Sequence, residues 1–151
     1  MTKIMEYFTV QDKEHWLSEI QKSDWGAGQF LYELLKDGKL KDTVGETAQV
    51  LMLTEGKELL AFCTLAPLDD IQPTELTPWI GFVYSYPQYR RNHYAGLLLD
   101  HAEKLAAAMK FAYSYISTEH IGLYEKYGYE FYRMGKGING EESRIYRKAL
   151  M

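Results

Sequence analysis

Apolar and polar positions along the chain change their period several times, and each change marks an element. Met5 to Val10 is rich in strand formers and reads as a short strand, after which Asp12 can cap a helix in which Trp16, Leu17 and Ile20 recur at helical spacing. Trp25, Gly26 and Gly28 interrupt that helix. A second helical stretch, Gln29 to Lys36, sets Phe30, Leu31, Leu34 and Leu35 on one side before Asp37 and Gly38 end it. Thr47 to Thr54 and Glu58 to Ala66 flank the turn Glu55-Gly56 and predict an antiparallel hairpin. Beyond a loop holding Pro67, Asp69, Asp70 and Pro73, the run Trp79-Ile80-Gly81-Phe82-Val83-Tyr84 is continuously apolar, as in a strand covered on both faces, and Pro87 stops it.

The second half begins with the longest helix. From Tyr94 to Met109, positions 94, 97, 98, 101, 105 and 109 keep to one helical stripe, and Asp100 precedes Lys104 by one turn. Ala112 to Ile116 reads as a strand, Ser117 or Thr118 caps a short helix, and Gly128 suits the left-handed position just past its end. Tyr129 to Met134 and Arg144 to Leu150 close the chain as two strands around the glycine-bearing turn from Gly135 to Gly140. Without repeats, low-complexity segments or a linker, residues 1–151 are expected to form one domain with one core.

Composition narrows the function classes. With 46% hydrophobic and 25% charged residues the chain is of ordinary globular type. A formal net charge of −4 and a pI near 5.6 offer no overall attraction to nucleic acid or anionic lipid. The 13 tyrosines suit strand packing, a half-open cleft or an oligomer interface, so a homodimer is compatible with the sequence. One cysteine, Cys63, rules out an intrachain disulfide, and too few Cys and His lie at short spacing for a structural zinc site, so no metal is expected. The N-terminal segment lacks a signal-peptide core and no stretch reaches the roughly 18 apolar residues of a membrane span, so a cytoplasmic location with no membrane partner is expected.

Chemistry concentrates where the apolar strand gives way to the long helix. Pro87-Gln88-Tyr89-Arg90-Arg91-Asn92-His93-Tyr94-Ala95-Gly96 places a basic turn before a helix N-terminus, whose unpaired N–H groups and positive dipole end bind phosphate. Ala95 and Gly96 remove side-chain bulk where a pyrophosphate would approach the backbone. The residues equally describe a basic helix cap. They are not a nucleotide P-loop, which ends in Gly-Lys-Ser/Thr, nor a dinucleotide fingerprint with three spaced glycines.

This segment resembles the pyrophosphate loop of the GNAT superfamily of acetyl-CoA-dependent N-acetyltransferases, Arg/Gln-x-x-Gly-x-Gly/Ala, with Arg90 at its first position and Ala95 at its last. His93 stands where the family usually has glycine, and His is among the residues tolerated at positive φ. His120-Ile121-Gly122-Leu123-Tyr124-Glu125-Lys126-Tyr127-Gly128-Tyr129 resembles the family's later segment, Leu-Tyr-Glu-Lys-x-Gly-Phe/Tyr. The resemblance implies an α/β (α+β) fold, a mixed, mostly antiparallel sheet of about seven strands flanked by about four helices.

It also implies roles. Val83, Tyr84 and Ser85 are expected along the pantetheine arm of acetyl-CoA, and Arg90, Arg91, Asn92, His93, Tyr94, Ala95 and Gly96 around its pyrophosphate. His120 stands where relatives often carry an asparagine that contacts the arm, and a capping role fits it as well. Tyr124 matches the tyrosine that protonates the departing thiolate; from spacing alone it packs with Leu123 and Tyr127 against a core. The family's carboxylate on the fourth strand is missing, which leaves Glu75, Asp69, Asp70 or free substrate amine to fill the role of base. Cys63, mid-strand without a basic partner, reads as a buried inert thiol. The expected function is transfer of acetyl to a primary amine of a small molecule or peptide; the alternative is a non-catalytic acyl-CoA-binding module of the same fold.

Overall fold

The computed structural model describes residues 1–150. Seven strands, β1 (Lys3–Glu6), β2 (Gln49–Glu55), β3 (Glu58–Ala66), β4 (Trp79–Ser85), β5 (Tyr113–Thr118), β6 (Glu130–Lys136) and β7 (Glu142–Ala149), form one sheet in the order β1-β2-β3-β4-β5-β7-β6. Four α-helices accompany them: α1 (Lys13–Gln21), α2 (Gly26–Lys36), α3 (Leu40–Val44) and α4 (Tyr94–Ala108). Only β4 and β5 run parallel, and the helix α4 between them returns the chain to the end of the sheet where β4 began; β1 and β2, although α1, α2 and α3 lie between them, pair antiparallel. The expected mixed, mostly antiparallel architecture is the one observed.

The hairpin β2–β3 explains why its strands read as unbroken apolar runs. Gly56, at φ 61°, starts a two-residue connection, and successive residues then point to opposite covered faces. Val50, Met52 and Phe62 pack toward α1, α2 and α3, whereas Leu51, Leu53, Ala61, Cys63 and Leu65 join Leu98, Leu99, Ala102 and Ala106 of α4.

Several local expectations shift. The first strand ends at Glu6 and a 3₁₀ turn covers Tyr7–Thr9. Asp12 occupies the cap position of α1 without a side-chain cap bond and lies 3.5 Å from Lys57 Nζ instead. Gly26 and Gly28 lie inside α2; a Cβ at Gly28 would fall 2.2 Å from Ser23 Oγ, so this glycine permits close packing instead of ending a helix. Helix α4 is rotated from the expected stripe, since Leu97 and Met109 are exposed while Ala102 and Ala106 are buried: small residues let the helix approach the sheet, and the large apolar side chains mislead the periodicity. Ser117 and Thr118 remain in β5, and the expected helix after them is a single 3₁₀ turn, Glu125–Tyr127, closed by Gly128 at φ 94°. The fourth helix is α3, which the sequence pattern did not announce. Among the described residues no helix is long and apolar enough to cross a membrane.

Candidate active site

Strands β4 and β5 pair at a single position, Trp79 with Tyr115, and then diverge. A bulge in β4 accompanies the divergence: Phe62 faces Tyr84 and Thr64 faces Gly81, so Phe82 and Val83 together oppose Cys63, with Phe82 at φ 51°. Between Ile80 and Ser85, the side of β4 turned to β5 therefore has backbone groups that no strand takes up. The resulting cleft has a volume of about 710 Å³, and its wall includes Val83, Tyr84, Ser85, Ala95, His120 and Tyr124. Two segments far apart in sequence, the turn before α4 and the turn after β5, thus meet around one space.

The basic turn enters α4 through two left-handed residues, Arg91 at φ 76° and His93 at φ 58°. His93 adopts the positive φ that glycine would take more readily, and as cap residue it makes no side-chain bond to the helix. The first helical bond runs from Leu97 N–H to His93 O at 3.3 Å, which leaves the N–H groups of Tyr94, Ala95 and Gly96 without a partner inside the helix. Arg90 also lines the cleft, but folds back: its Nε donates to Ser85 O at 3.0 Å, and its guanidinium lies 5.5 Å from the Tyr84 ring centre and 3.8 Å from Asp24. Asn92 is spent on the turn itself, its Nδ2 donating to Tyr89 O at 2.9 Å. Arg91 is exposed and makes no ion pair among the described residues. Tyr94 is half-buried against Tyr89, with ring centres 6.5 Å apart. The bare face of Gly96 meets the ring of Tyr127, where a Cβ would come within 3.0 Å. Gly96 thus lets the two turns approach closely, while its N–H keeps no partner inside the helix.

Tyr124 is 8% exposed and borders the cleft, with its ring edge-on to Tyr129 at 6.3 Å. The Tyr129 hydroxyl exchanges a 2.7 Å bond with Ser114 Oγ and donates to Glu103 at 3.0 Å, while no such bonds engage Tyr124. Burial pushes the Tyr124 phenol well above its ordinary pKa, with Cys63, Tyr127 and Asp69 adding to the rise, so the side chain stays a neutral donor. Leu123 is exposed, whereas Tyr124 and Tyr127 pack with Leu98, Leu99 and Tyr129, so two of the three residues expected against a core lie there. His120 is exposed at the cleft rim, and its backbone N–H donates to Thr118 Oγ1 at 3.1 Å, so Thr118 and not the imidazole closes this turn. Cys63 is buried and its thiol is pushed up to about 12, which keeps it protonated and inert.

The three acidic residues of the β3–β4 loop part company. Glu75 is paired with Arg133 at 3.0 Å and Asp70 is exposed. Asp69 alone turns inward, where its carboxylate takes the space beside Gly81; a Cβ there would lie 2.2 Å from Oδ1. Burial, followed by the negative charge of Asp70, pushes the Asp69 carboxyl up to about 7. Sequence reasoning missed Asp24 and Trp25 at the start of α2. Trp25 stacks on Tyr84 with ring centres 5.6 Å apart, Tyr84 donates its hydroxyl to Asp24, and the Asp24 N–H donates back at 3.1 Å. An aromatic beside two glycines was the available signal, and it read as a break.

The model of the acetyltransferase (GNAT) family matches residues 4–129. No curated protein matches the sequence. Among solved structures, a Desulfovibrio desulfuricans chain assigned as a GNAT-family acetyltransferase superposes with a TM-score of 0.73 at 14% identity, covering 100% of both chains. The aminoglycoside 6'-N-acetyltransferase from Enterococcus faecium gives 0.70 at 13% identity over 99% of this chain and 97% of that one. An aminoglycoside 6'-N-acetyltransferase complexed with coenzyme A gives 0.68 at 14% identity over the same shares. Structural likeness at such identities speaks for the fold, and the family match, which covers most of the sequence including both turns, speaks for descent. The chain belongs to the GNAT acetyltransferase family.

Proposed function

We propose that this protein is a one-domain cytoplasmic enzyme that transfers acetyl from acetyl-CoA to a primary amine by direct attack. The observation that carries the reading is the cleft itself, which has uncapped helix N–H groups at one end and the neutral, buried Tyr124 at the other. Phosphates are favoured at the start of α4, with the exposed charge of Arg91 in the turn that precedes it, and the unpaired side of β4 suits the amides of an extended pantetheine arm. Arg90 occupies Ser85 O, so on this reading the arm pairs nearer the bulge, at Phe82 and Val83.

The reaction forms a C–N bond and breaks the thioester C–S bond, and the electron pair leaves on sulfur. Tyr124 supplies a proton to that thiolate and recovers one from solvent. A donor with its hydroxyl on the cleft wall can act there without first giving up a structural bond. The test is thiol release from acetyl-CoA in the presence of an amine panel. Tyr124→Phe is expected to lower turnover by about 100-fold while leaving acetyl-CoA affinity within a few-fold. Unchanged turnover removes Tyr124 from the mechanism, and binding without turnover across the panel makes the protein an acyl-CoA-binding module instead.

A further inference from the structure

A second cavity, of about 230 Å³, adjoins the cleft, and Trp25, Phe82 and Ser117 border both spaces. Its remaining apolar wall comes from Phe30 of α2, Val44 of α3 and Ile138 in the β6–β7 turn. Three of these side chains are large and exposed: Trp25 at 36%, Phe30 at 48% and Ile138 at 57%. Large apolar side chains scattered singly over a surface are ordinary, but several converging on one concavity mark a surface that a ligand covers. Phe30 and Phe82 set their rings 6.3 Å apart.

At the boundary between the two spaces sits Asp69, against Gly81 of the cleft wall. No lysine, arginine or histidine pairs with it among the described residues; the charged group acting on it is Asp70 of the same loop, and the titratable group across the cleft is the Tyr124 phenol. A carboxylate that faces a cavity without a cation, and is partly withdrawn from water, has room for a cationic ligand to supply the missing charge.

Resting on the assignment of the larger cleft to acetyl-CoA, we infer that the second cavity is the acceptor site for a small primary amine carried on a compact apolar body, with Asp69 receiving the proton of the incoming ammonium. The volume admits a single ring with a short aliphatic arm and is below the roughly 300–1,000 Å³ of drug-sized pockets. Only two carboxylates line it, Asp69 against Gly81 of the cleft wall and the neighbouring, exposed Asp70, so one ammonium finds a partner while the rest of the molecule meets Trp25, Phe30, Phe82 and Ile138. A polycation with charges spread along a polar body finds no such match.

The proton balance closes. The ammonium gives one proton to the Asp69 carboxylate and becomes a neutral amine, which attacks the thioester carbonyl. As the C–S bond breaks, the second proton leaves nitrogen, the thiolate is protonated through Tyr124, and Asp69 returns its proton to solvent. The products are the N-acetyl amide, free coenzyme A and one net proton. The position of Asp69 near pH 7 lets it accept and release that proton at neutral pH.

The experiment measures initial rates of thiol release at saturating acetyl-CoA with 2-phenylethylamine, spermidine and kanamycin, and acetyl-CoA affinity separately by calorimetry. The apolar monoamine is expected to show at least about tenfold higher kcat/KM than either polycation. Asp69→Asn is expected to lower kcat about 100-fold and to erase an acidic limb near pH 7, with acetyl-CoA affinity unchanged as proof of folding. Phe30→Ser raises KM for 2-phenylethylamine alone. A preference for the polycations, or an Asp69→Asn variant that keeps its rate and pH profile, overturns the inference while leaving the acetyl-CoA reading intact. Failure of acetyl-CoA to bind the native protein overturns both.

Discussion

Strands β3 and β4 are both runs of apolar residues, yet one closes the fold and the other opens it. The hairpin partner of β3 is two residues away, and β2 and β3 pair from Gln49–Leu65 to Glu55–Glu58 with both faces covered, the ladder resuming past an irregularity at Leu60. The parallel neighbour of β4 arrives only after a helix, pairs at one position and turns away, and a bulge at Phe82 and Val83 has already altered the direction of β4. The same residue preference therefore gives stability where the ladder resumes after its irregularity and a binding surface where it stops after one pair. Tyr129 and Tyr124 repeat the contrast at the scale of one side chain: the first is tied to Ser114 and Glu103, the second faces the cleft.

The largest effect is expected in the hairpin half. Phe62, completely buried and packed between Tyr84 and Tyr86, should cost about 3–5 kcal/mol of stability when changed to alanine, measured by urea unfolding. A loss below about 1 kcal/mol would show that β3 is not the rigid half. Next comes Tyr129→Phe, which strips the buried Glu103 and Ser114 of a shared partner and should lower stability by about 1–3 kcal/mol with kcat nearly unchanged. Tyr124→Phe is expected to do the reverse. If both variants lose activity alike, the distinction between the two tyrosines is wrong.

A smaller effect depends on pH. The folded-state pKa of Asp69, about 7, is raised from 3.8, so between about pH 4 and 7 the folded chain holds a proton that the unfolded chain has released. Stability due to this group is present below that window and is lost as pH rises through 7. Asp69→Asn should therefore raise Tm by a few degrees at pH 8 and by less at pH 5; an equal shift at both values would mean that Asp69 titrates normally. Smallest of all, Arg91→Ala should weaken acetyl-CoA binding only a few-fold, more at low salt than at high, since the charge is exposed. Affinity that is independent of salt in both proteins would take Arg91 out of the phosphate site.

Much of this was legible in the chain. Strand formers, apolar runs and helical spacing located β2 to β7, the hairpin turn at Gly56, the start of α4 and the left-handed Gly128, because each depends on near neighbours and on the side-chain volume of a few residues; the first strand, expected from Met5 to Val10, overlaps β1 only at Met5 and Glu6. The two turns that carry chemistry were also readable as motifs. Helix α3 was not, since five residues give barely one period.

What only the tertiary structure decided follows from contacts distant in sequence. Which face of α4 is buried depends on how closely Ala102 and Ala106 let it approach the sheet. That Gly96 seats Tyr127, that Arg90 bends back to Ser85, and that Asp69 lies against Gly81 while Glu75 pairs with Arg133 all depend on contacts between segments the sequence keeps apart, around the bulge at Phe82 and the parting of β4 from β5. Local sequence sets the preferences of each segment. Where the strands stop pairing is settled by the packing of the whole sheet, and in this protein that is where the cleft lies.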